Sequence, residues 1–128
     1  MNLVPLELFA PSALCLDDGG RVCAEAPPRM SGNADSWMVA TFHAETMADV
    51  HADHWEIHPA AEEAVCVLAG RARLILRAGD HGEEQTVTLP ARTAYVVPRG
   101  RWHRLEIDGP VDLMSITMRR DTRLERRA

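Results

Sequence analysis

Two short segments carry the side chains best suited to bind a metal ion. Glu56, His58 and Glu63 lie within one stretch, and His103 follows a Pro-x-Gly turn later in the chain. Successive side chains of a strand alternate between its faces, so Glu56 and His58 point to the same face. Glu63 begins an apolar run typical of a buried strand. Two imidazoles and two carboxylates that converge inside β-structure would suit a divalent ion such as Zn, Mn, Fe or Ni.

The same side chains also allow a pocket that holds no metal. In that arrangement His58 and His103 are hydrogen-bonded pocket residues, and the two glutamates pair with arginine. Arg101 and Arg104 are the arginines near enough in sequence to do so. Without a cation, two carboxylates in a barrel are expected to repel and to raise one another's pKa. That repulsion favours the metal.

Other polar and aromatic residues flank these segments. His54 shares the face of Glu56 and could lie at the mouth of the site, whereas alternation turns His51 away as a ligand. Both are expected to face solvent or to lie at the rim of the pocket. Tyr95 is the only tyrosine, and its hydroxyl could act as a proton donor, although a packing role is favoured. Trp55 and Trp102 each precede a candidate ligand and therefore face away from it. Core packing or a dimer contact is favoured for them over stacking on a substrate.

The elements that must position these residues read as short strands. Strand-like segments cover residues 36–44, 49–58, 63–68, 71–77, 84–89, 94–97, 103–107 and 111–118. A helical period occurs only weakly over residues 6–14, where Pro11 interrupts it. Short, regular strands separated by turn residues predict an all-β sandwich or barrel.

The first segment resembles the first motif of the cupin superfamily. That motif runs His-x-His, three or four residues, Glu, six residues, Gly, and the chain matches it at His58, Glu63 and Gly70. Glu56 stands where the motif has its leading His, and Trp-Glu-x-His-Pro looks like a variant found in small single-domain cupins. The resemblance therefore implies a metal bound by Glu56, His58, Glu63 and His103.

The second segment resembles the second cupin motif, which runs Gly, five residues, Pro-x-Gly, two residues, His. Pro98, Gly100 and His103 fit it, and Arg92 stands in place of the leading Gly, a change expected to alter only a turn. The resemblance covers about residues 36–118. It implies a cupin-type jelly-roll β-barrel with an irregular N-terminal extension.

The chain thus divides into three predicted parts. Residues 1–35 form the extension, rich in Pro and Gly, with at most a short strand or hairpin around 21–25. Residues 36–118 form the barrel. Residues 119–128 form a basic C-terminal tail, expected to be solvated and partly ordered, or alternatively to contact a partner.

Composition excludes several classes of function. The chain has 128 residues and a formal net charge of −5, which argues against nucleic acid and anionic membranes as partners. All basic residues are arginine, which excludes Schiff-base lysine chemistry. Apolar runs are too short for a membrane span, and no signal peptide is evident. Three cysteines form no closed disulfide framework, and the spacing of Cys15 and Cys23 matches no zinc motif, so a cytoplasmic location is expected.

Two functions follow from these observations. The first is a metal-dependent enzyme acting on a small polar molecule, for which the resemblance implies dioxygenase, isomerase or lyase chemistry. Glu56 would then be a fourth ligand or a catalytic general base. The second is a non-catalytic binding module that senses a small molecule or a metal. A five- or six-coordinate Mn, Fe or Ni leaves positions open for chemistry, whereas a closed four-coordinate Zn favours sensing.

A homodimer is also expected. A jelly roll leaves edge strands, and the N-terminal segment carries apolar residues that need burial. They are Leu3, Val4, Leu6, Leu8, Phe9, Leu14 and Leu16. Small cupins commonly dimerise, which the resemblance adds to the argument.

Overall fold

The structure is a computed structural model that describes residues 3–25 and 35–127. The described residues form β-strands and one short 3-10 helix at Met47–Val50, and none of their helices has the length and apolar character to cross a membrane. The strands are β1 (Ser12–Leu16), β2 (Val22–Glu25), β3 (Trp37–Ala44), β4 (His54–Ile57), β5 (Glu63–Ala69), β6 (Arg71–Arg77), β7 (Glu84–Pro90), β8 (Thr93–Val97), β9 (Trp102–Glu106), β10 (Val111–Met118) and β11 (Arg123–Arg126). The prediction of an all-β chain is confirmed.

The strands form two antiparallel sheets. The first has the order β2-β1-β3-β10-β5-β8, and the second has the order β11-β4-β9-β6-β7. Apolar side chains from both sheets pack between them, and the largest fully buried ones are Leu74, Leu113, Val67, Val97 and Val111. Two packed sheets with this crossover order form a jelly roll, which confirms the predicted fold.

Alternation along β6 shows how the sequence builds the two layers. Ala72, Leu74 and Leu76 are buried between the sheets, as the sequence pattern predicts. Ile75 and Arg77 point to the opposite, outer face, yet they are buried as well. Other side chains of the second sheet therefore cover its outer face.

The covering group is an outer arginine–tryptophan cluster, formed by Trp55, Trp102, Arg77 and Arg104. The Arg77 guanidinium lies 4.6 Å from the ring centre of Trp55 and 5.1 Å from that of Trp102. The Arg104 guanidinium lies 5.0 Å from Trp55. The two tryptophans thus face away from the candidate ligands and pack, as the alternation predicts.

The predicted strand over residues 49–58 is wrong in its first half. Met47–Val50 forms the 3-10 helix, and β4 begins only at His54. The Asp49 carboxylate accepts hydrogen bonds from the backbone amides of Glu45 and Thr46, at 2.9 and 3.1 Å. This local capping competes with an extended conformation.

The N-terminal extension is less irregular than the sequence suggests. β1 and β2 form a hairpin, and β1 also pairs with β3, so the hairpin extends the first sheet. β2 coincides with the predicted strand around residues 21–25. β1 was not predicted, because the sequence there shows only a weak helical period that Pro11 interrupts. The register places Cys15 opposite Cys23, and both thiols are free.

The basic tail also contributes a strand. The side chains of β11 are exposed, and β11 pairs antiparallel with β4 at the edge of the second sheet. The register sets Leu124 opposite Glu56 and Arg123 opposite Ile57. The sequence pattern does not indicate this strand because most of its residues are charged. Its extended conformation depends on pairing with β4.

Two turn positions show why the motifs described above carry glycine there. In this chain one is Gly70 and the other is Arg92. Gly70 has φ +84°, and a Cβ there would collide with the carbonyl oxygen of Pro110. Arg92 has φ +71°, the left-handed region that favours glycine, and its amide donates to the carbonyl of Val67 at 2.7 Å. The turn that normally carries Gly therefore persists here with an arginine, at a cost in backbone strain.

Candidate metal centre

The two sheets bring Glu56, His58, Glu63 and His103 together at one end of the barrel interior. Glu56 lies on β4 and is the register partner of His103 on β9. His58 follows β4 directly, and Glu63 is the first residue of β5 in the opposite sheet. One oxygen or nitrogen of each side chain lies within 4.8 Å of the others.

The imidazoles and carboxylates are interleaved. Nε2 of His58 lies 3.0 Å from Oε1 of Glu56 and 3.4 Å from Oε1 of Glu63. Nε2 of His103 lies 2.7 Å from Oε1 of Glu63 and 3.7 Å from Oε1 of Glu56. Both Nε2 atoms therefore face the same two carboxylates.

A second layer of contacts holds these side chains in place. Nδ1 of His103 donates to the carbonyl oxygen of Arg101 at 3.0 Å. Nδ1 of His58 lies 2.8 Å from the Thr122 hydroxyl, and the Ser115 hydroxyl donates to Oε2 of Glu63 at 2.8 Å. In a neutral His103 the proton on Nδ1 leaves the Nε2 lone pair free for a ligand.

One buried atom in this cluster lacks a hydrogen bond. Nε2 of His103 is fully enclosed and has no hydrogen-bond partner, because the short approach to Glu63 does not have hydrogen-bond direction. Buried polar atoms are nearly always satisfied. A cation among the four side chains would accept this lone pair, and two imidazoles with two carboxylates match the preferences of Zn, Mn, Fe and Ni. The residues present fit a divalent metal.

Charge in the cluster is balanced internally. Burial alone would raise the pKa of Glu63, but the adjacent imidazoles of His103 and His58 outweigh it and lower that pKa to about 2. The same balance lowers the pKa of Glu56. Burial alone would lower the pKa values of the imidazoles, but the glutamates raise them to about 9 for His58 and about 10 for His103.

The predicted repulsion between carboxylates is therefore wrong in direction, since the imidazoles lie between them. The suggested relief by arginine also fails for Arg104, whose side chain ion-pairs with Glu106 and Glu84 on the outer face. Arg101 contributes only its carbonyl oxygen to His103.

A cavity of about 790 Å³ opens beside the cluster. Its wall includes Glu56, Glu63 and His103, and most of its area is apolar. It also carries the ionisable residues His43, Asp49, His51, His54 and Arg119. The apolar members from the inner faces of both sheets are Met38, Ala40, Phe42, Val65, Leu105 and Leu113.

The flanking candidates fall in different places. His54 borders the cavity and holds Asp53 at 2.9 Å, outside the four-residue group. His51 borders the cavity too, where it caps the 3-10 helix, so strand alternation does not decide its direction. Tyr95 packs against the main core rather than lining the cavity. Thr122 and Ser115 were missed, since nothing in the local sequence links them to residues so distant along the chain.

Comparison with known families and structures adds to this description. The model of the family described as Cupin domain matches residues 43–117. This stretch contains all four residues of the cluster. No curated protein sequence matches the chain.

Solved structures share the fold at low identity. A structure of Bacillus subtilis oxalate decarboxylase, described by its Mn(II) centres, is 21% identical with a TM-score of 0.53, over 70% of this chain and 23% of that one. A Klebsiella pneumoniae protein with a double-stranded beta-helix domain is 15% identical with a TM-score of 0.53, over 73% and 71% of the two chains. Peruvianin-I, a cysteine peptidase from Thevetia peruviana latex, is 10% identical with a TM-score of 0.54, over 70% and 54%. The chain spans less than a quarter of the length of the decarboxylase.

Proposed function

Because the chain belongs to the Cupin domain family, we propose that it is a metal-dependent enzyme that acts on a small molecule within the barrel. One divalent ion, Zn, Mn, Fe or Ni, is held by Glu56, His58, Glu63 and His103. The observation that carries the proposal is the convergence of two carboxylates and two imidazoles within 4.8 Å of one another, with the buried Nε2 of His103 facing both carboxylates.

When bound, the metal would supply Lewis-acid polarisation of a substrate oxygen. The residues of the chain prepare that position. The Arg101 carbonyl and the Thr122 hydroxyl fix the two rings through their Nδ1 atoms, and Ser115 fixes Glu63. A centre whose ligands are held by such contacts binds with little reorganisation.

Glu56 differs from the other three residues and is the proposed general base. Its side chain is 28% exposed, against 2% for His58 and 7% for Glu63. It borders the cavity and forms a hydrogen bond with Nε2 of His58. A carboxylate that reaches both the cluster and the cavity can accept a proton from a bound molecule.

The cavity wall narrows the class of substrate. The cluster borders the cavity, and side chains such as Met38, Phe42 and Leu113 give it a mainly apolar wall, to which His51, His54 and Arg119 add further polar groups. A substrate with oxygen donors at one end and an apolar remainder matches this distribution, because an unpaired polar group against the apolar wall would cost free energy. Dioxygenase, isomerase and lyase reactions all accept such a molecule.

Metal loading of the purified protein tests the proposal. Metal-free protein is titrated with Mn(II), Fe(II), Ni(II) and Zn(II), and elemental analysis after desalting is expected to give about one ion per chain for at least one of them. Water-proton relaxation of the Mn(II)-loaded protein then counts bound water. At least one exchangeable water supports an enzyme, since it marks a position open to substrate.

Two results contradict the proposal in different ways. Failure of every metal to remain bound would identify a pocket closed by its own His–Glu pairs. A tightly bound four-coordinate Zn without exchangeable water would instead support the alternative, a binding module that senses a metal or a small molecule.

A further inference from the structure

The segment that follows β10 crosses from the first sheet to the second at the end of the barrel that holds the metal cluster. β10 belongs to the first sheet and β11 to the second, so the residues between them span the gap. The Thr122 amide donates to the carbonyl of Arg119 at 3.1 Å, which closes a turn. The Thr122 hydroxyl in turn lies 2.8 Å from Nδ1 of His58. Arg119 therefore begins a turn whose other end touches the cluster.

Two side chains of this segment reach the cavity. Arg119 and Leu124 both line its wall. Ser115 of β10 donates to Glu63, and Arg119 comes four residues later, directly after the strand, so alternation turns it to the same inner side. Leu124 is the register partner of Glu56 and shares its face. A guanidinium and an aliphatic side chain thus border the cavity beside the cluster.

Arg119 lacks an internal counter-ion. Its guanidinium forms no ion pair and no hydrogen bond with any residue in the described ranges 3–25 and 35–127, although the residue is half-buried. Arg104, which also borders the cavity, pairs with two glutamates on the outer face. The acidic groups of the wall are engaged as well: Glu56 and Glu63 by the imidazoles, and Asp49 by two backbone amides. Arg119 is therefore available to an anion in the cavity.

We infer that Arg119 binds a carboxylate of the substrate, and that the substrate is a small carboxylic acid with an apolar chain. The inference rests on the proposed function, because it assigns the substrate class of the same cavity. A guanidinium presents two parallel N–H donors that match the two oxygens of one carboxylate. The apolar wall, with Met38, Phe42 and Leu113, accepts the chain of the acid.

The charges around the cavity favour a singly charged acid over a phosphate ester or a neutral molecule. The cluster balances its own glutamates, through protonated imidazoles in the metal-free protein or through a divalent ion beside neutral imidazoles. Arg119 then adds one positive charge. A dianionic phosphate ester needs a second cation, and Arg104 is already paired. A neutral substrate would leave the half-buried guanidinium without a counter-ion, at a cost in free energy.

The assigned contact comes from outside the part of the chain that matches the family. The Cupin domain model matches residues 43–117, which hold the four residues of the cluster, whereas Arg119 and Leu124 follow that stretch. The barrel would thus supply the metal ligands, and the C-terminal segment would supply the selection of the substrate.

Ligand titration of the nitrogen-15-labelled full chain, followed by NMR spectroscopy, tests the inference. The probes are straight-chain carboxylates from butanoate to octanoate, the amides of the same chain lengths, and inorganic phosphate. Each is added at neutral pH to the metal-free and to the Zn(II)-loaded protein. At least one carboxylate should bind about tenfold or more tightly than its amide, because charge-assisted hydrogen bonds are the stronger ones. The amide resonances of Ser115 and Thr122 should shift, and affinity should rise with chain length as methylenes reach the apolar wall.

Substitutions of single arginines separate this contact from the net charge of the chain. Arg119→Gln should bind carboxylate and amide equally, and Arg119→Lys, which keeps the charge, should recover part of the preference. Arg71→Gln is the matched control, since it removes the same charge. Arg71 is exposed at the start of β6, whereas the other end of β6 pairs with His103. The control should keep the wild-type preference, and all three variants should bind metal as the wild type does.

The outcomes distinguish this inference from the proposed function. Equal affinity of the wild-type protein for carboxylate and amide, binding of neither, or an Arg119→Gln variant that keeps the preference would overturn the inference and leave metal binding untouched. Phosphate that binds as tightly as the best carboxylate would overturn the assigned substrate class. A protein that binds no metal, yet prefers carboxylates through Arg119, would support the contact and contradict only the metal-dependent enzyme.

Discussion

Strands β4 and β9 carry a buried polar cluster on each of their two faces. The inner cluster holds Glu56 and His103, and the outer arginine–tryptophan cluster holds Trp55, Trp102 and Arg104. Alternate residues of the same short strands thus enter opposite environments. Both clusters bury ionisable groups, but they compensate the cost of burial differently.

In the outer cluster, contacts with neighbouring side chains and backbone offset the cost of burying the arginine charges. Arg77 lies against two indole rings, donates to the carbonyl of Gly79 at 3.0 Å, and approaches Glu125 at 3.6 Å. Trp102 donates its indole N–H to Asp80 at 3.2 Å. Its arginines are enclosed and screened by side chains of the same sheet.

In the inner cluster, the Nε2 atoms of the two histidines and the carboxylates of the two glutamates converge on one centre instead. Nε2 of His103 is enclosed without a hydrogen bond, and the two carboxylates lie on either side of the imidazoles. Such an arrangement is fully compensated only by protons or by a cation. The comparison teaches that neither burial of charge nor an unpaired buried atom marks a functional site by itself, because Arg77 and Arg104 in the outer cluster also carry buried nitrogens without a hydrogen bond. The convergence of four metal-ligand side chains on one centre is the more informative sign.

The largest expected effect is on metal content, which should depend on the inner cluster and not on the outer one. His58→Ala combined with His103→Ala should reduce bound metal from about one ion per chain to none, because two of four ligands are lost. Elemental analysis after reconstitution measures this. Unchanged metal content in the double variant would place the site elsewhere in the molecule.

The next effect is on stability and concerns the outer cluster. Arg77→Ala should lower the free energy of unfolding by about 3 kcal/mol, through loss of two cation–π contacts and of stem packing. Urea denaturation measures it, and metal content should stay at the wild-type value. Loss of metal in this folded variant would show that the two faces are coupled, contrary to the comparison.

Dependence on pH should differ between the clusters. In metal-free protein the raised pKa values of His58 and His103 give a contribution that is complete below about 6.5 and is lost as pH rises through about 9 and 10. The lowered pKa of Glu63 gives a contribution present above about 4.5 and lost as pH falls towards about 2. Stability of the metal-free protein should therefore peak between about 4.5 and 6.5.

Metal binding should follow the opposite trend on the alkaline side. Ligand imidazoles must be neutral, so the metal concentration needed for half-saturation should fall as pH rises from 6 to 8. The stability lost in Arg77→Ala should stay constant over this range, since arginine keeps its charge. Metal titration at a series of pH values measures the concentration for half-saturation, and thermal unfolding at the same pH values measures the stability lost in Arg77→Ala. A metal-free protein most stable above pH 9 would contradict the assignment of charged His–Glu pairs.

The smallest expected effect concerns the second layer of the inner cluster. Thr122→Val should weaken metal binding about tenfold, because the His58 ring loses the hydroxyl at its Nδ1. Thr122→Ser restores a hydroxyl and should recover most of the affinity. Isothermal titration calorimetry measures the difference. Equal affinity in the Val and Ser variants would show that the hydroxyl does not position the ring.

The local sequence pattern was sufficient to predict most strands and to predict that the residues of the inner cluster share one face. Alternation placed Glu56 with His58, and the Pro-x-Gly turn before His103 marked the partner strand. The ligand roles of these residues remain a prediction that the metal titration tests. The jelly roll itself and the cupin family are confirmed.

Sequence pattern failed where distant pairing decides the structure. β1 and β11 have weak strand character of their own and are ordered by β3 and β4. The direction of the pKa shifts depended on imidazoles lying between two carboxylates, a geometry set by the packing of both sheets. Local reading has no access to such contacts, which join residues as far apart as His58 and Thr122.

The pairing of β11 with β4 has a consequence for the order in which the protein matures. Ribosomes synthesise chains from the N-terminus, so Thr122 emerges after all four residues of the inner cluster. Until then the His58 ring lacks its Nδ1 partner, and β4 lacks a neighbour on one edge. A nascent chain therefore presents an incomplete cluster, and any ion that the cluster binds would be held by the complete set of contacts only after translation past residue 126.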